Sequence, residues 1–258
     1  MSKHEAVASG QIPSASAEAA RALRMSLVIP CYNEARNLPA LVDRLRAIDD
    51  ELVDIILVDN GSTDDSPAVM EALIRDCPRI ASVRVPVNRG YGFGILAGLH
   101  AATGDVLAWT HADRQTDPLD AVIGFDRFRA ATDPRVLFVK GLRYGRPMVD
   151  AVFTAGMSLF ETALTGRVMR DINAQPTMFH RSFFESWTDA PDDFALDLYA
   201  YWRAKAARLA FQRFPVRFGP RQFGNSHWNT GMKGRLKFIR RTIAFSLKLK
   251  GRLHGAVA

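Results

Sequence analysis

His111, Asp113 and Gln115 stand at alternate positions just after the apolar segment Val106–Thr110, in the run His111-Ala112-Asp113-Arg114-Gln115-Thr116-Asp117-Pro118. Alternate residues past a strand end face the same way, so an imidazole, a carboxylate and an amide converge there. Such donors suit a divalent cation, and the cation in turn suits a diphosphate. Two upstream segments repeat the form of an apolar strand followed by a polar loop. The first ends in Pro30-Cys31-Tyr32-Asn33-Glu34 and the second in Asp59-Asn60-Gly61-Ser62-Thr63-Asp64. Asp59 and the Tyr32–Glu34 loop suit a base or ribose, because carboxylates and amides accept from N–H and hydroxyl groups. Asp59 has a competing use as a turn former that accepts from the Ser62 region. Asp64 and Asp65 suit the cap of a helix opening at Pro67. Gly90, Gly92 and Gly94 are spaced like a phosphate nest, but do not follow a first strand with a later acidic residue as a dinucleotide fingerprint would.

Apolar runs at Leu27–Pro30, Ile55–Val58, Ala81–Val87 and Val106–Thr110 predict strands. Helical spacing predicts helices over Leu38–Ile48, from Pro67 to about Arg75, up to Ala102, and over Leu119–Ala130. This alternation predicts an α/β fold: a mainly parallel, Rossmann-like sheet with helices on both faces and ligands at the carboxyl ends of its strands. Beyond a strand at Val136–Val139, helices are expected at about 149–168 and 193–208, a strand near 211–218 and a C-terminal helix. Val149, Val152, Phe153, Met157, Phe160, Leu164 and Val168 recur at helical spacing and read as a core stripe.

The 258 residues suffice for one packed domain, with two cysteines and no disulfide framework. Residues 1–24 read as a flexible N-terminal extension, 25–228 as the catalytic domain and 229–258 as a basic amphipathic segment. No Asp or Glu follows Asp197, whereas fourteen Lys and Arg do; the preceding part holds 20 basic against 27 acidic residues. The basic end must meet something anionic. Leu236, Ile239, Ile243, Phe245 and Leu247 interleave with those cations, which suits an anionic membrane surface. Nucleic acid fits badly, because no nucleic-acid module precedes the tail. No apolar run reaches the ~18 residues of a spanning helix.

In this order, Pro30–Glu34, Val58–Asp64, Asn88-Arg89-Gly90, Ala102–Asp105 and Gly141-Leu142-Arg143-Tyr144 resemble glycosyltransferase family 2, within it the dolichyl- and polyprenyl-phosphate sugar synthases. The resemblance implies a GT-A fold and an inverting hexosyl transfer from a UDP- or GDP-sugar. It places Pro30, Tyr32, Asn33, Glu34, Asp59, Asn88, Gly90, His111, Ala112 and Asp113 around the donor. Arg143 falls where the family has an arginine facing the leaving diphosphate. Arg217 and Arg221 lie in a stretch resembling the family's Arg-x-x-Gly-x-Ser-Lys loop, with His227 in place of the lysine. Asp171 and Asp197 stand where the family has acidic residues facing the acceptor, Asp197 as base or orienter; Asp192 and Asp193 suit helix capping.

One departure stands out. The family's Asp-x-Asp has His111 in its first position, while Asp113 and Gln115 stand where expected. Imidazole accepts Mn²⁺ more readily than Mg²⁺. The metal is thus Mn²⁺ or Mg²⁺ held by Asp113, Gln115 and His111, or it is held by Asp113 with waters and the diphosphate while His111 is only a hydrogen-bonded strand-end residue, or its place is taken by Arg and Lys side chains. The implied acceptor is a polyprenyl phosphate, or else a sugar hydroxyl of a lipid-linked or surface glycan. The implied location is cytoplasmic, peripheral on the inner face of the cell membrane, in cell-envelope glycan synthesis. A sugar-nucleotide-binding protein without catalysis is the alternative that His111 raises.

Overall fold

The computed structural model describes residues 22–220, 239–240 and 242–247. Strands β1 (Met25–Cys31), β2 (Val53–Asn60), β3 (Ile80–Val85) and β4 (Val106–Trp109) alternate with α1 (Leu38–Arg46), α2 (Ser66–Ile74) and α3 (Tyr91–Ala101), and α4 (Asp120–Arg129) follows. The second half holds β5 (Leu137–Tyr144), α5 (Met148–Thr165), β6 (Thr177–His180), α6 (Arg181–Glu185), α7 (Leu196–Ala206) and β7 (Ala210–Arg217). All seven strands join one sheet in the order β3-β2-β1-β4-β6-β5-β7.

Alternation along each strand divides the core. Leu27, Ile29 and Cys31 face a cluster built with Leu38 and Leu41 of α1, Met70 of α2 and Phe125 and Phe128 of α4. Val28 faces the other, with Ile95 and Leu99 of α3, Phe183 of α6 and Tyr199 and Trp202 of α7. Each fully buried aliphatic side chain contributes about 1.5–3 kcal/mol, so a continuous apolar strand such as Leu27–Ile29 is stable only between two helical layers.

The expected alternation through α4 is present. Two expectations need correction. β6 is missing from the sequence reading; it runs antiparallel to both β4 and β5. Its four residues Thr-Met-Phe-His are too few to show a period. The stripe over 149–168 is not fully core: Met157, Phe160 and Leu164 are half-buried, whereas Val152 is 66% exposed and Val168, beyond α5, is 58% exposed. Helical spacing identifies an apolar face without telling what that face meets. Among the described residues, no helix is long and apolar enough to cross a membrane.

Candidate active site

β1 pairs in parallel with β2 and β4, and β5 with β7, while β6 reverses between β4 and β5. Two reversals restore the direction, so β1, β2, β4, β5 and β7 all end on one edge of the sheet. That edge carries Asp59, the 111–115 loop, Arg143 and Arg217. With roughly 4.8 Å between neighbouring strands, the β2 end lies about 10 Å from the β4 end and about 19 Å from the β5 end.

The first two loops interlock. Pro30 lies in β1 opposite Val58, and Cys31 opposite Asp59. Asn33 takes a left-handed conformation (φ 56°). Its N–H donates to Ser62 Oγ at 3.1 Å, and its side-chain Oδ1 accepts from the Thr63 N–H at 2.8 Å. The Glu34 N–H donates to Ser66 Oγ at 2.8 Å, and the Glu34 carboxylate accepts from the Asn37 amide. Asn33 and Glu34 therefore brace the two loops against each other, with Tyr32 exposed at the rim. Asp59 is 3% exposed. Its Oδ1 accepts from the Ser62 N–H at 3.0 Å, which is the turn-forming use. Its Oδ2 accepts no hydrogen bond from a described residue, and Arg84 Nε stands 3.5 Å away. Asp64, not Asp65, caps α2, accepting from the Ser66 N–H at 2.9 Å.

The glycine triplet is not an open phosphate nest. A Cβ on Gly92 would lie 2.5 Å from the Pro191 carbonyl oxygen and 2.6 Å from that of Asp193; one on Gly90 (φ +130°) would lie 2.5 Å from that of Asp192. The Phe93 N–H donates to the Asp192 carbonyl at 2.8 Å. Segment 191–193 thus covers the N-terminus of α3, and the glycines let two backbones touch. Asn88 shapes the turn before it, its Oδ1 accepting from the Gly90 N–H at 2.9 Å. Of the expected cappers, Asp193 accepts from the Ala195 N–H at 3.0 Å, whereas the Asp192 carboxylate pairs with Arg89 at 3.1 Å.

In the 111–115 loop, Ala112 and Asp113 are buried and His111 is half-buried. Asp113 Oδ1 accepts from the Gln115 N–H at 3.1 Å, around Arg114 in a left-handed conformation. Gln115 braces the loop: its Nε2 donates to the Gly219 carbonyl at 3.2 Å and its backbone carbonyl accepts from the Gly219 N–H at 2.7 Å. This ties the loop to the chain leaving β7. Among the described residues no three His, Cys, Asp or Glu converge as a closed metal site. Asp113 and His111 fit a cation only if phosphate oxygens and water complete its shell, and an imidazole in the set favours Mn²⁺ over Mg²⁺.

At the β5 end, Arg143 is clamped to Asp171. Its backbone N–H donates to Oδ2 at 3.0 Å and its Nε to Oδ1 at 2.9 Å. Arg146 Nη1 lies 3.7 Å from the same carboxylate, and both guanidinium groups stack over Phe218. Burial pushes the Asp171 carboxyl up, but the Arg143 hydrogen bonds and charge outweigh it and hold the group below its usual value. Arg217 is exposed on β7 opposite Tyr144. Arg221 and His227 lie outside the described residues.

Asp197 lies in the first turn of α7 and is 2% exposed. Its Oδ1 accepts from Gln175 Nε2 at 2.9 Å and faces the Lys140 ammonium at 3.5 Å. Lys140, wholly buried in β5, also donates to Thr177. Burial pushes its pKa down to about 8, against the pull of Asp197. Lys140, Gln175, Tyr91 and Arg146 escaped the sequence reading. The available signal was a lysine inside the apolar run Leu137-Phe138-Val139-Lys140-Gly141-Leu142.

Residues 26–143 match the family model described as glycosyl transferase family 2. A curated relative, undecaprenyl-phosphate 4-deoxy-4-formamido-L-arabinose transferase of Yersinia pestis (strain Pestoides F), is 39% identical over 100 residues, which are 37% of this chain and 30% of the relative. Glucosyl-3-phosphoglycerate synthase from Mycobacterium tuberculosis, crystallised with Mn²⁺, UDP-glucose and phosphoglyceric acid, superposes with a TM-score of 0.67 at 22% identity, covering 92% of this chain and 82% of that one. The same enzyme with Mg²⁺ and UDP superposes at 0.66 and 21% identity, covering 91% and 81%. These likenesses confirm the GT-A architecture expected of the sheet. Over residues 26–143, the chain is similar to glycosyl transferase family 2.

Proposed function

We propose that the protein is an inverting glycosyltransferase that moves a sugar from a nucleoside diphosphate sugar to a polyprenyl phosphate at a membrane surface. Asp59, through Oδ2, which accepts no hydrogen bond from a described residue and faces Arg84, takes the base or ribose. Asp113 and His111 take the diphosphate side and would hold a divalent cation. Bound there, such a cation neutralises charge on the departing diphosphate. Arg143 and Arg217 add positive charge at the far end of the edge, where negative charge develops as the glycosidic bond breaks.

The nucleophile attacks the anomeric carbon from the face opposite the leaving group. A sugar hydroxyl must lose its proton in that step, so a carboxylate within reach is required. A phosphate oxygen is anionic already. The observation that carries this choice is that both acceptor-side carboxylates are engaged, Asp171 with Arg143 and Asp197 with Lys140 and Gln175. The acceptor reading also draws support from the exposed apolar residues Leu142, Tyr144, Met148, Val152 and Leu159 along the end of β5 and on α5. They form the kind of surface a lipid chain needs, and the relative named above acts on undecaprenyl phosphate. Peripheral attachment to the cytoplasmic face of a membrane follows from the same reading.

Purified protein, a panel of labelled UDP- and GDP-sugars, Mn²⁺, and vesicles with or without undecaprenyl phosphate test it. Label is expected in a lipid product that depends on the phosphate lipid. Transfer only to glycan hydroxyls would overturn the acceptor, and donor binding without turnover would overturn the enzyme.

A further inference from the structure

Tyr91 lies between the buried polar groups and the 111–115 loop. Its ring stacks on the His111 imidazole with centroids 5.5 Å apart and planes inclined by 30°. On the same residue Phe194 stacks at 4.7 Å and 6°. The phenol oxygen accepts from Gln175 Nε2 at 3.3 Å, and the same amide nitrogen donates to Asp197 Oδ1 at 2.9 Å. Asp197 in turn faces Lys140, which is held by Thr177. A continuous set of contacts therefore runs from the interior of β5 through α7 and α3 to the imidazole.

From this chain of contacts we infer that Tyr91 is the positioning residue of His111. Its ring sets the plane of the imidazole, Phe194 backs it, and the Asp197–Gln175 pair fixes its hydroxyl. The role deepens the donor-site reading above and rests on it. Asp197 then acts through Tyr91 instead of on the acceptor. A half-buried imidazole on a loop has two ring-flip orientations that present different nitrogens. A stacked ring tethered at its far end selects the tilt from which one nitrogen meets the diphosphate or its cation.

The test is a double-mutant cycle read by calorimetric titration of UDP and GDP in the presence of Mn²⁺, without turnover. Tyr91→Leu removes the stack and is expected to weaken nucleotide binding by about twofold to twelvefold, the worth of one aromatic pair. In a His111→Ala background the same substitution is expected to change binding by less than about twofold, because the group it positions is gone. Tyr91→Phe keeps the ring and removes only the tether to Gln175, so it is expected to fall between wild type and Tyr91→Leu. It is also a variant that preserves packing if Tyr91→Leu melts early. Equal losses in both backgrounds would overturn the positioning role, as would unchanged binding by folded Tyr91→Leu. Should wild-type protein bind neither nucleotide, the donor site itself fails and this role with it.

Discussion

An Asp197→Asn substitution leaves the Lys140 ammonium wholly buried and facing an amide instead of a carboxylate. Lys140 already carries a burial cost: its pKa falls from 10.5 to about 8 even with Asp197 beside it, which corresponds to about 3 kcal/mol. Removing one partner of a buried ion pair costs about 3–5 kcal/mol, and that is the loss expected in urea unfolding at pH 7. The pH dependence has a definite sign. Because the folded-state pKa is depressed, the unfolded chain binds the extra proton between about pH 8 and pH 10.5, and stability rises with pH across that window. Losing Asp197 depresses the folded pKa further, so the deficit of the variant should shrink at pH 9, where the lysine sheds its proton. Lys140→Met in the Asp197→Asn background should recover most of the loss at pH 7, since an apolar side chain of similar length needs no counter-charge. A loss below about 1 kcal/mol at pH 7, an equal loss at pH 9, or no recovery in the double variant would refute the buried-pair reasoning.

Other substitutions address other parts of the site. Gly92→Ala drives a methyl group against the Pro191 and Asp193 carbonyl oxygens; a loss of about 1–3 kcal/mol in thermal unfolding and faster proteolysis near residue 191 are expected. Asp59→Asn alters the buried acceptor at the β2 end and should weaken nucleotide binding about 10- to 100-fold, the worth of a charge-assisted hydrogen bond, in the same calorimetric titration. His111→Asp replaces an imidazole by a hard oxygen donor, and the ratio of turnover with Mg²⁺ to turnover with Mn²⁺ should rise. Asp171→Asn removes a carboxyl held below its usual pKa; in wild type that contribution is complete above the ordinary carboxylate range and lost as pH falls through the depressed value, so the variant should lose stability at neutral pH and show a shallower acid transition.

Much of this architecture was legible because it rests on local signals. The apolar strands at Leu27–Pro30 and Ile55–Val58, the Asn60-Gly61 turn and the Pro67 helix start each state their structure within a few residues, and the polar loops fall where a parallel sheet presents its carboxyl ends. What escaped depends on partners distant in sequence. Thr177–His180 is a strand only because β4 and β5 leave a gap for it. Lys140 looks like the end of an apolar strand until Asp197, 57 positions later, faces it within the fold. Gly90 and Gly92 resembled a phosphate nest because close backbone approach looks alike whether the visitor is a phosphate or segment 191–193. Val152 and Val168 sit on a helical stripe whose spacing is the same for a core and for an exposed face.

The most direct measurement is a crystal structure of the protein soaked with UDP or GDP and Mn²⁺. Density for the nucleoside at Asp59 Oδ2, with the diphosphate running along the sheet edge to His111 and Asp113 and ending toward Arg143, is the expected result. Nucleotide bound away from the carboxyl ends of β1, β2 and β4, or a diphosphate that touches neither His111 nor Asp113, would contradict the donor site.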